Sequence, residues 1–137
     1  MKNEIKNIGT EVIDLQIKGL KKLKNSINKS FNDAVNAIFK CKSKVIICGV
    51  GKSGIIASKI SATLSSVGTP SFPISASDCS HGDLGRITKN DLLILISYSG
   101  NTSELRNIIK YAKSTKVKLI GIVSNKDSVL YKSSNIK

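Results

Sequence analysis

Apolar positions first recur along the chain at helical spacing, then gather into short continuous runs separated by turn residues. Over residues 10–28, Val12, Leu15, Leu20, Leu23 and Ile27 fall near one face, with Lys18, Lys21, Lys22 and Lys24 mostly off it. That pattern predicts an amphipathic helix. A second helix is expected from Ser30, which stands as an N-cap with Asp33 at the third helical position, a shortened capping box. Behind it, Phe31, Ala34, Val35, Ile38 and Phe39 have the i, i+3, i+4, i+7, i+8 spacing of a buried stripe. Both helices precede the first strand and are expected to pack on the sheet or on a second subunit.

The pattern changes at residue 45. An apolar run over residues 45–48, rich in β-branched side chains, ends abruptly in Gly49, Gly51 and Gly54, with amphipathic sequence from Ile55 onward. This order reads as a buried strand, a tight turn and the start of a helix. The helix is expected over residues 53–66, with Ile56, Ile60, Thr63 and Leu64 inward and the small Ala57, Ser61 and Ala62 allowing close packing. Val67-Gly68-Thr69-Pro70 stops it, since glycine and then proline cannot continue a helix. A short strand over residues 71–74 leads into a polar loop over residues 75–85. Residues 92–97 form the clearest strand, apolar almost throughout and so buried on both faces. A helix to about Ser114, a strand over residues 117–123 and a short helix opened by Ser124-Asn125-Lys126-Asp127 complete the order.

Strands alternating with helices predict an α/β fold: a three-layer sandwich whose parallel sheet is flanked by helices joined through right-handed crossovers, preceded by N-terminal helices. The 137 residues fit a single domain. Within it, residues 1–40 form the N-terminal helices and residues 41–137 the α/β core.

Composition changes this picture little. The longest uninterrupted aliphatic run, residues 92–96, is far too short to cross a bilayer. The N-terminus carries Glu4 and lacks an apolar run of signal-peptide length, so secretion is not expected. Cys41, Cys48 and Cys79 show no Cys-x-x-Cys spacing and read as reduced thiols of a cytoplasmic protein, with Cys48 in the core. The net charge of +13 raises nucleic-acid binding. Against it, only Arg86 and Arg106 are arginines, and three Phe with three Tyr make no base-stacking platform. Drift of composition toward Lys, Ile and Asn accounts for the charge more simply. Neither nucleic acid nor membrane is expected as a partner. An attraction for anionic sugar phosphates still follows from the charge.

In a parallel α/β sheet, ligands bind beyond the carboxyl ends of the strands, and three loops arrive there. In the first, residues 49–54, the glycines let backbone N–H groups approach an anion at a helix N-terminus, and Lys52 adds a mobile charge. Gly-x-Gly-x-x-Gly alone equally describes a dinucleotide fingerprint, with Asp78 near where a ribose-binding carboxylate would be sought. A Walker loop fails because Ile46 stands where glycine is needed. Purely structural turn glycines remain a third reading. In the second loop, residues 97–104, Ser97, Ser99, Thr102 and Ser103 offer hydroxyl donors beside the next helix. The plainer alternative is ordinary capping by Thr102 or Asn101, with Glu104 in the first turn. The third loop, residues 80–86, holds His81, the only histidine, among glycines and small polar residues. Histidine is the side chain best able to move protons near neutral pH.

Together these segments resemble the sugar isomerase (SIS) domain family, and within it the arabinose-5-phosphate isomerase branch. The matching text is Gly-Val-Gly-Lys-Ser-Gly at 49–54, Gly-Thr-Pro-Ser-Phe at 68–72, His-Gly-Asp-Leu-Gly at 81–85 and Ser-Tyr-Ser-Gly-Asn-Thr-Ser-Glu at 97–104. The spacings agree as well, so the resemblance covers most of residues 30–137. It implies an SIS-type sheet of the flavodoxin or Rossmann kind, and interconversion of D-ribulose 5-phosphate and D-arabinose 5-phosphate for Kdo and lipopolysaccharide synthesis. It also implies a cytoplasmic homotetramer that needs no organic cofactor and no metal.

By the same resemblance, Lys52, His81 and Glu104 are the candidate catalytic residues. Gly51, Ser53, Ser97, Ser99 and Thr102 are candidates for binding the substrate and its phosphate. Two positions depart from the family pattern: Asp78 stands where a glutamate is usual, and Asn101 replaces a common acidic residue. Full-length relatives continue through a further strand and helix, and many add a pair of CBS modules, so the chain is expected to be C-terminally truncated. A non-catalytic SIS module that senses a sugar phosphate would carry the same Ser/Thr loop.

Overall fold

The computed structural model describes residues 2–137. Its centre is a pair of strands, β1 (Val45–Gly49) and β3 (Leu92–Ser97), in which nearly every residue is buried. Continuous apolar runs of this kind are what a strand covered on both faces requires. β2 (Ser71–Ser75) lies on the outer side of β1, and β4 (Lys118–Val123) on the outer side of β3. All pairings are parallel, giving the order β2-β1-β3-β4. Beyond β4, Ile136 makes a single parallel bridge to Ile120.

Alternation along the strands divides the core into two layers. Ile46, Cys48, Leu93, Leu95 and Leu119 point to one face, which is covered by α4 (Ala76–Cys79), α5 (Leu105–Thr115) and α6 (Val129–Ser133). Val45, Ile47, Leu92, Ile94 and Ile120 point to the other, where α3 (Lys52–Ser66) packs through Ala57, Ile60 and Leu64. Ala34, Ala37 and Ile38 of α2 (Lys29–Phe39) join that second layer. The predicted three-layer α/β fold is therefore present.

Several local expectations are corrected. The first helix, α1, runs Lys2–Lys24, so it begins well before Thr10 and leaves Ile27 outside. Asn28, not Ser30, caps α2: its Oδ1 accepts from the N–H groups of Ser30 (2.9 Å) and Phe31 (3.3 Å). Asp33 pairs instead with Lys29 at 2.7 Å. The α2 stripe is only half used, with Phe31, Val35 and Phe39 exposed. On α3 the buried positions are the small Ala57 and Ser61, while Ile56 and Thr63 lie outside. Close approach of helix to sheet selects small side chains at the innermost positions, with Ile60 and Leu64 half-buried beside them. The polar loop of residues 75–85 contains α4 and, at Asp83–Arg86, a 3-10 turn.

By contact, the chain divides into two compact units that meet between Asp33 and Ala34. In the first, every side chain from Asn3 to Lys29 is exposed. The second contains the whole sheet. All three cysteines are free thiols, and Cys48 is in the core as expected. Burial, with Cys79 adding to it, pushes the Cys48 thiol up to about 12. Burial, with Asp83 and Asp78 adding and Arg86 opposing, pushes Cys79 up to about 11. No helix among the described residues is long and apolar enough to cross a membrane.

Candidate functional site

The strand order reverses between β1 and β3: the chain leaves β1 for β2 on one side and returns to β3 on the other. Crevices of this kind, at the carboxyl ends of the strands, are where open α/β sheets bind ligands. Gly49 is in register with Ser75 of β2 and Ile96 of β3, so the loops that follow these strands rise from one level of one edge. Those are the loops that hold Lys52, His81 and Glu104.

The first loop is built by backbone approach. A Cβ on Gly49 would lie 2.6 Å from the carbonyl carbon and oxygen of Ser53, and one on Gly54 would lie 3.0 Å from the oxygen of Gly49. The structural reading of the turn accounts for these two glycines. Gly51 differs: its φ of 57° disfavours any side chain, yet open space surrounds the position a Cβ would take. Gly51 precedes α3 directly, and no side-chain oxygen caps that helix. In its first turn the Ser53 N–H donates to the Val50 carbonyl (3.2 Å) and the Gly54 N–H to the Gly51 carbonyl (3.0 Å). Lys52 is exposed at the first helical position, with Ser53 half-buried behind it.

The second loop is held from within. Ser97 is buried; its Oγ accepts from the Gly100 N–H (3.0 Å) and shares a 2.7 Å hydrogen bond with the Thr102 hydroxyl. That pair has two O–H donors and spends one on the mutual bond, so one donor is left over. Ser99 is exposed, and its Oγ accepts from the Asn101 N–H at 3.2 Å. Gly100 adopts φ 68°, and a Cβ there would run into Ser128 and Val123.

The capping alternative is not what this loop does. Asn101 Oδ1 accepts from the Val129 N–H at 3.0 Å, tying the loop to α6, and Thr102 is engaged with Ser97. Glu104 itself occupies the N-cap position of α5, without a side-chain cap bond. Its carboxylate accepts from the Ser103 hydroxyl at 2.6 Å. That bond first, and the residue's own backbone N–H second, hold the fully exposed carboxyl below the usual carboxylate range. At neutral pH Glu104 is an ionised, solvent-facing carboxylate. The Ser103 hydroxyl, read from sequence as a phosphate donor, is directed at Glu104.

The third loop starts from α4, which Ser75 caps by accepting from the Asp78 N–H at 3.4 Å. The His81 N–H then donates to the Asp78 carbonyl at 2.9 Å, and the exposed His81 is followed by Gly82 at φ 121°. Asp78 thus sits inside a helical turn rather than at a strand end, which removes the ribose carboxylate of the dinucleotide reading. Asn107, in the first turn of α5, donates through Nδ2 to Ser80 Oγ at 3.2 Å. This bond ties the residue before His81 to the helix that Glu104 opens. Arg86 pairs with Asp83 at 3.0 Å and lies over the Phe72 ring at 4.9 Å, anchoring the far side of the loop.

Sequence reasoning gave no tertiary role to Asn101, Gly100, Asn107 or Ser128. Their signal is long-range: Asn101 meets a residue 28 positions away and Asn107 one 27 positions away. A groove of about 480 Å³ lined by Lys113, Lys116, Lys118 and Asn135 opens beside the start of β4, at the opposite end of the sheet. It is not part of this constellation.

Residues 37–137 match the SIS domain family model. The chain belongs to the SIS domain family. Among curated relatives, it is 44% identical over 133 residues to the arabinose 5-phosphate isomerase KdsD of Francisella tularensis, covering 95% of this chain and 41% of that protein. It is 42% identical over 133 residues to the uncharacterised protein RP505 of Rickettsia prowazekii, covering 97% of this chain and 42% of that one. The chain therefore spans about two fifths of the length of these relatives. Among solved SIS-type structures, the Escherichia coli CFT073 protein c3406 in complex with arabinose 5-phosphate superposes with a TM-score of 0.83 at 36% identity, covering 93% of this chain and 71% of that one.

Proposed function

We propose that this SIS domain is the site of a sugar-phosphate aldose–ketose isomerase that interconverts D-ribulose 5-phosphate and D-arabinose 5-phosphate, feeding Kdo and lipopolysaccharide synthesis in the cytoplasm. The observation that carries the reading is the Glu104 carboxylate, ionised and exposed at the mouth of a Ser/Thr loop, on the sheet edge that also presents Lys52 and His81. The names of the KdsD relative and of the c3406 complex narrow the substrate class.

The chemistry follows from those groups. Glu104 takes a proton from C1 of the ketose, leaving a 1,2-enediolate. A proton is returned at C2, the hydroxyl proton passes from O1 to O2, and the aldose results. No atoms or electrons are gained or lost, so the conversion needs no redox partner. Lys52, with its positive charge, holds substrate and stabilises the enediolate oxygen. His81 assists ring opening or carries the proton between oxygens. The phosphate is taken by the Ser/Thr loop, through Ser99 and the spare donor of the Ser97–Thr102 pair, and by the N-terminus of α3 at Gly51 and Ser53. The assembly in this proposal is a homo-oligomer, a tetramer by resemblance.

The test is conversion of ribulose 5-phosphate to arabinose 5-phosphate by the purified chain, beside Lys52→Ala. Turnover that Lys52→Ala abolishes supports the proposal. A folded protein that binds the sugar phosphate without turning it over is a sensor, and the isomerase reading is then wrong.

A further inference from the structure

α6 starts from a fixed point, since Ser128 and Leu130 are both fully buried. The first N–H groups of a helix have no partners inside it and must find them elsewhere. Ser128 Oγ accepts from the Tyr131 N–H at 3.2 Å. The two ahead of it go to the Ser/Thr loop: the Val129 N–H donates to Asn101 Oδ1 at 3.0 Å, and the Leu130 N–H to the Gly100 carbonyl at 3.0 Å. Just past β4, the Ser124 N–H donates to the Tyr98 carbonyl at 3.2 Å. Residues 98–101 are thus held along their length by residues 124–130. The same stretch aims the hydroxyls. The Gly100 N–H donates to Ser97 Oγ, which shares its bond with Thr102, and the Asn101 N–H donates to Ser99 Oγ at 3.2 Å. Every hydroxyl offered to the phosphate therefore takes its bearing from Gly100 or Asn101, and α6 places those two residues.

Of these three anchors, only the one at Asn101 depends on a side chain of the loop; the other two use carbonyls that any residue carries. We infer that Asn101 is a positioning residue for phosphate: by accepting from the Val129 N–H it holds the Ser97, Ser99 and Thr102 hydroxyls in the geometry that grips the phosphate, and it acts through them. This rests on the reading of residues 97–104 as the phosphate loop of an isomerase. Donors held in place beforehand need not be ordered when the ligand arrives, so the brace raises affinity. The phosphate is gripped alike in the ground state and the transition state. Its effect therefore falls on KM and not on kcat.

The brace can be removed from either end. Asn101→Ala takes away the acceptor, at an exposed position where alanine loses no packing. Val129→Pro takes away the donor, at a first helical position where proline is well tolerated. Ser128, at φ −69° and ψ 158°, already has the extended backbone that a residue before proline adopts. On the full chain, the dissociation constant of arabinose 5-phosphate is measured by calorimetry, beside kcat and KM. Each single variant is expected to raise the dissociation constant and KM about 3- to 10-fold and to leave kcat within about 2-fold. The double variant is expected to be no weaker than either single one, because all three lose the same bond. Slow labelling of the buried Cys48 and Cys79 thiols checks that each variant is folded. Should Val129→Pro fail that check, Asn101→Ala decides alone, through the split between KM and kcat. Unchanged affinity in the single variants overturns the inference, as do effects that multiply in the double variant or a loss of kcat at constant KM. If the wild type binds the sugar phosphate without turning it over, the isomerase reading fails, and the dissociation constants still decide the role of Asn101. A wild type that does not bind it overturns both.

Discussion

Glu104 and Ser103 are neighbours in sequence, and their side chains hydrogen-bond to each other. A carboxylate that accepts a 2.6 Å bond from a hydroxyl keeps its negative charge to lower pH, because the bond favours the charged form. The carboxylate therefore stays ionised to lower pH than an ordinary one. Replacing Ser103 with alanine removes the main cause of the depression, so the acid limb of kcat/KM is expected to move to higher pH while turnover at neutral pH changes little. Glu104→Gln is expected to lower kcat by about 10²–10⁴-fold and to abolish solvent-proton exchange at the substrate carbon. A pH profile of the two variants checks both. Full turnover and exchange in Glu104→Gln would assign the base elsewhere, with His81 next in line.

At the scale of elements, three glycines separate backbone conformation from crowding. Gly85 has neither a positive φ nor a neighbour near its absent Cβ, so Gly85→Ala is expected to stay within about 0.5 kcal/mol of wild type. Gly51 carries φ 57° and ψ −124° in open space, and Gly51→Ala is expected to cost about 1–3 kcal/mol through backbone strain alone. Gly100 combines φ 68° with contact against Ser128 and Val123, so Gly100→Ala adds about 1–3 kcal/mol of overpacking to a similar strain. Urea midpoints should follow that order.

The same scale shows what sequence pattern can and cannot report. β1 and β3 were legible because burial on both faces leaves an unbroken apolar run. α4 was not, because four residues burying only Ala76 and Cys79 have no period to detect. On α3 the inward Ile60 and Leu64 and the close-packed Ala57 and Ser61 were legible, whereas Ile56 and Thr63 were misplaced because the fully buried positions go to the two small residues. Asn28 and Ser30 are both good caps two positions apart, and only the hydrogen bonds decide between them. The three site loops were legible as motifs. The braces that shape them, Asn101 to Val129 and Asn107 to Ser80, join distant segments and leave no local mark.

For the whole molecule, the site edge of the sheet is shaped by glycine turns, and the opposite edge is fastened by one carboxylate. Among the described residues Asp91 is the only charged side chain in the buried class. It accepts from the Ser43 hydroxyl (2.6 Å) and from the Thr88 N–H (2.6 Å) and hydroxyl (3.0 Å), and it pairs with Lys44 at 3.1 Å. These contacts lock the segments entering β1 and β3 together before the strands begin. Burial taken alone would raise the Asp91 carboxyl, but the bonds from Ser43, Thr88 and Lys44 outweigh it and hold the group below its ordinary range. A folded-state value lower than the unfolded one stabilises the fold fully above the unfolded value. That contribution is lost as pH falls through the lowered folded value. Asp91→Asn keeps the shape and removes the charge, so it is expected to cost about 1.5–3 kcal/mol at neutral pH. The gap between variant and wild type should then close only as pH falls through that lowered folded value, where wild-type Asp91 itself becomes neutral. With a net charge of +13 before any carboxylate is protonated, acid also adds self-repulsion to both proteins alike. The difference between their urea midpoints isolates Asp91 from that general effect. A gap that stays constant from neutral to acid pH would mean that the network contributes through shape alone and its charge contributes nothing.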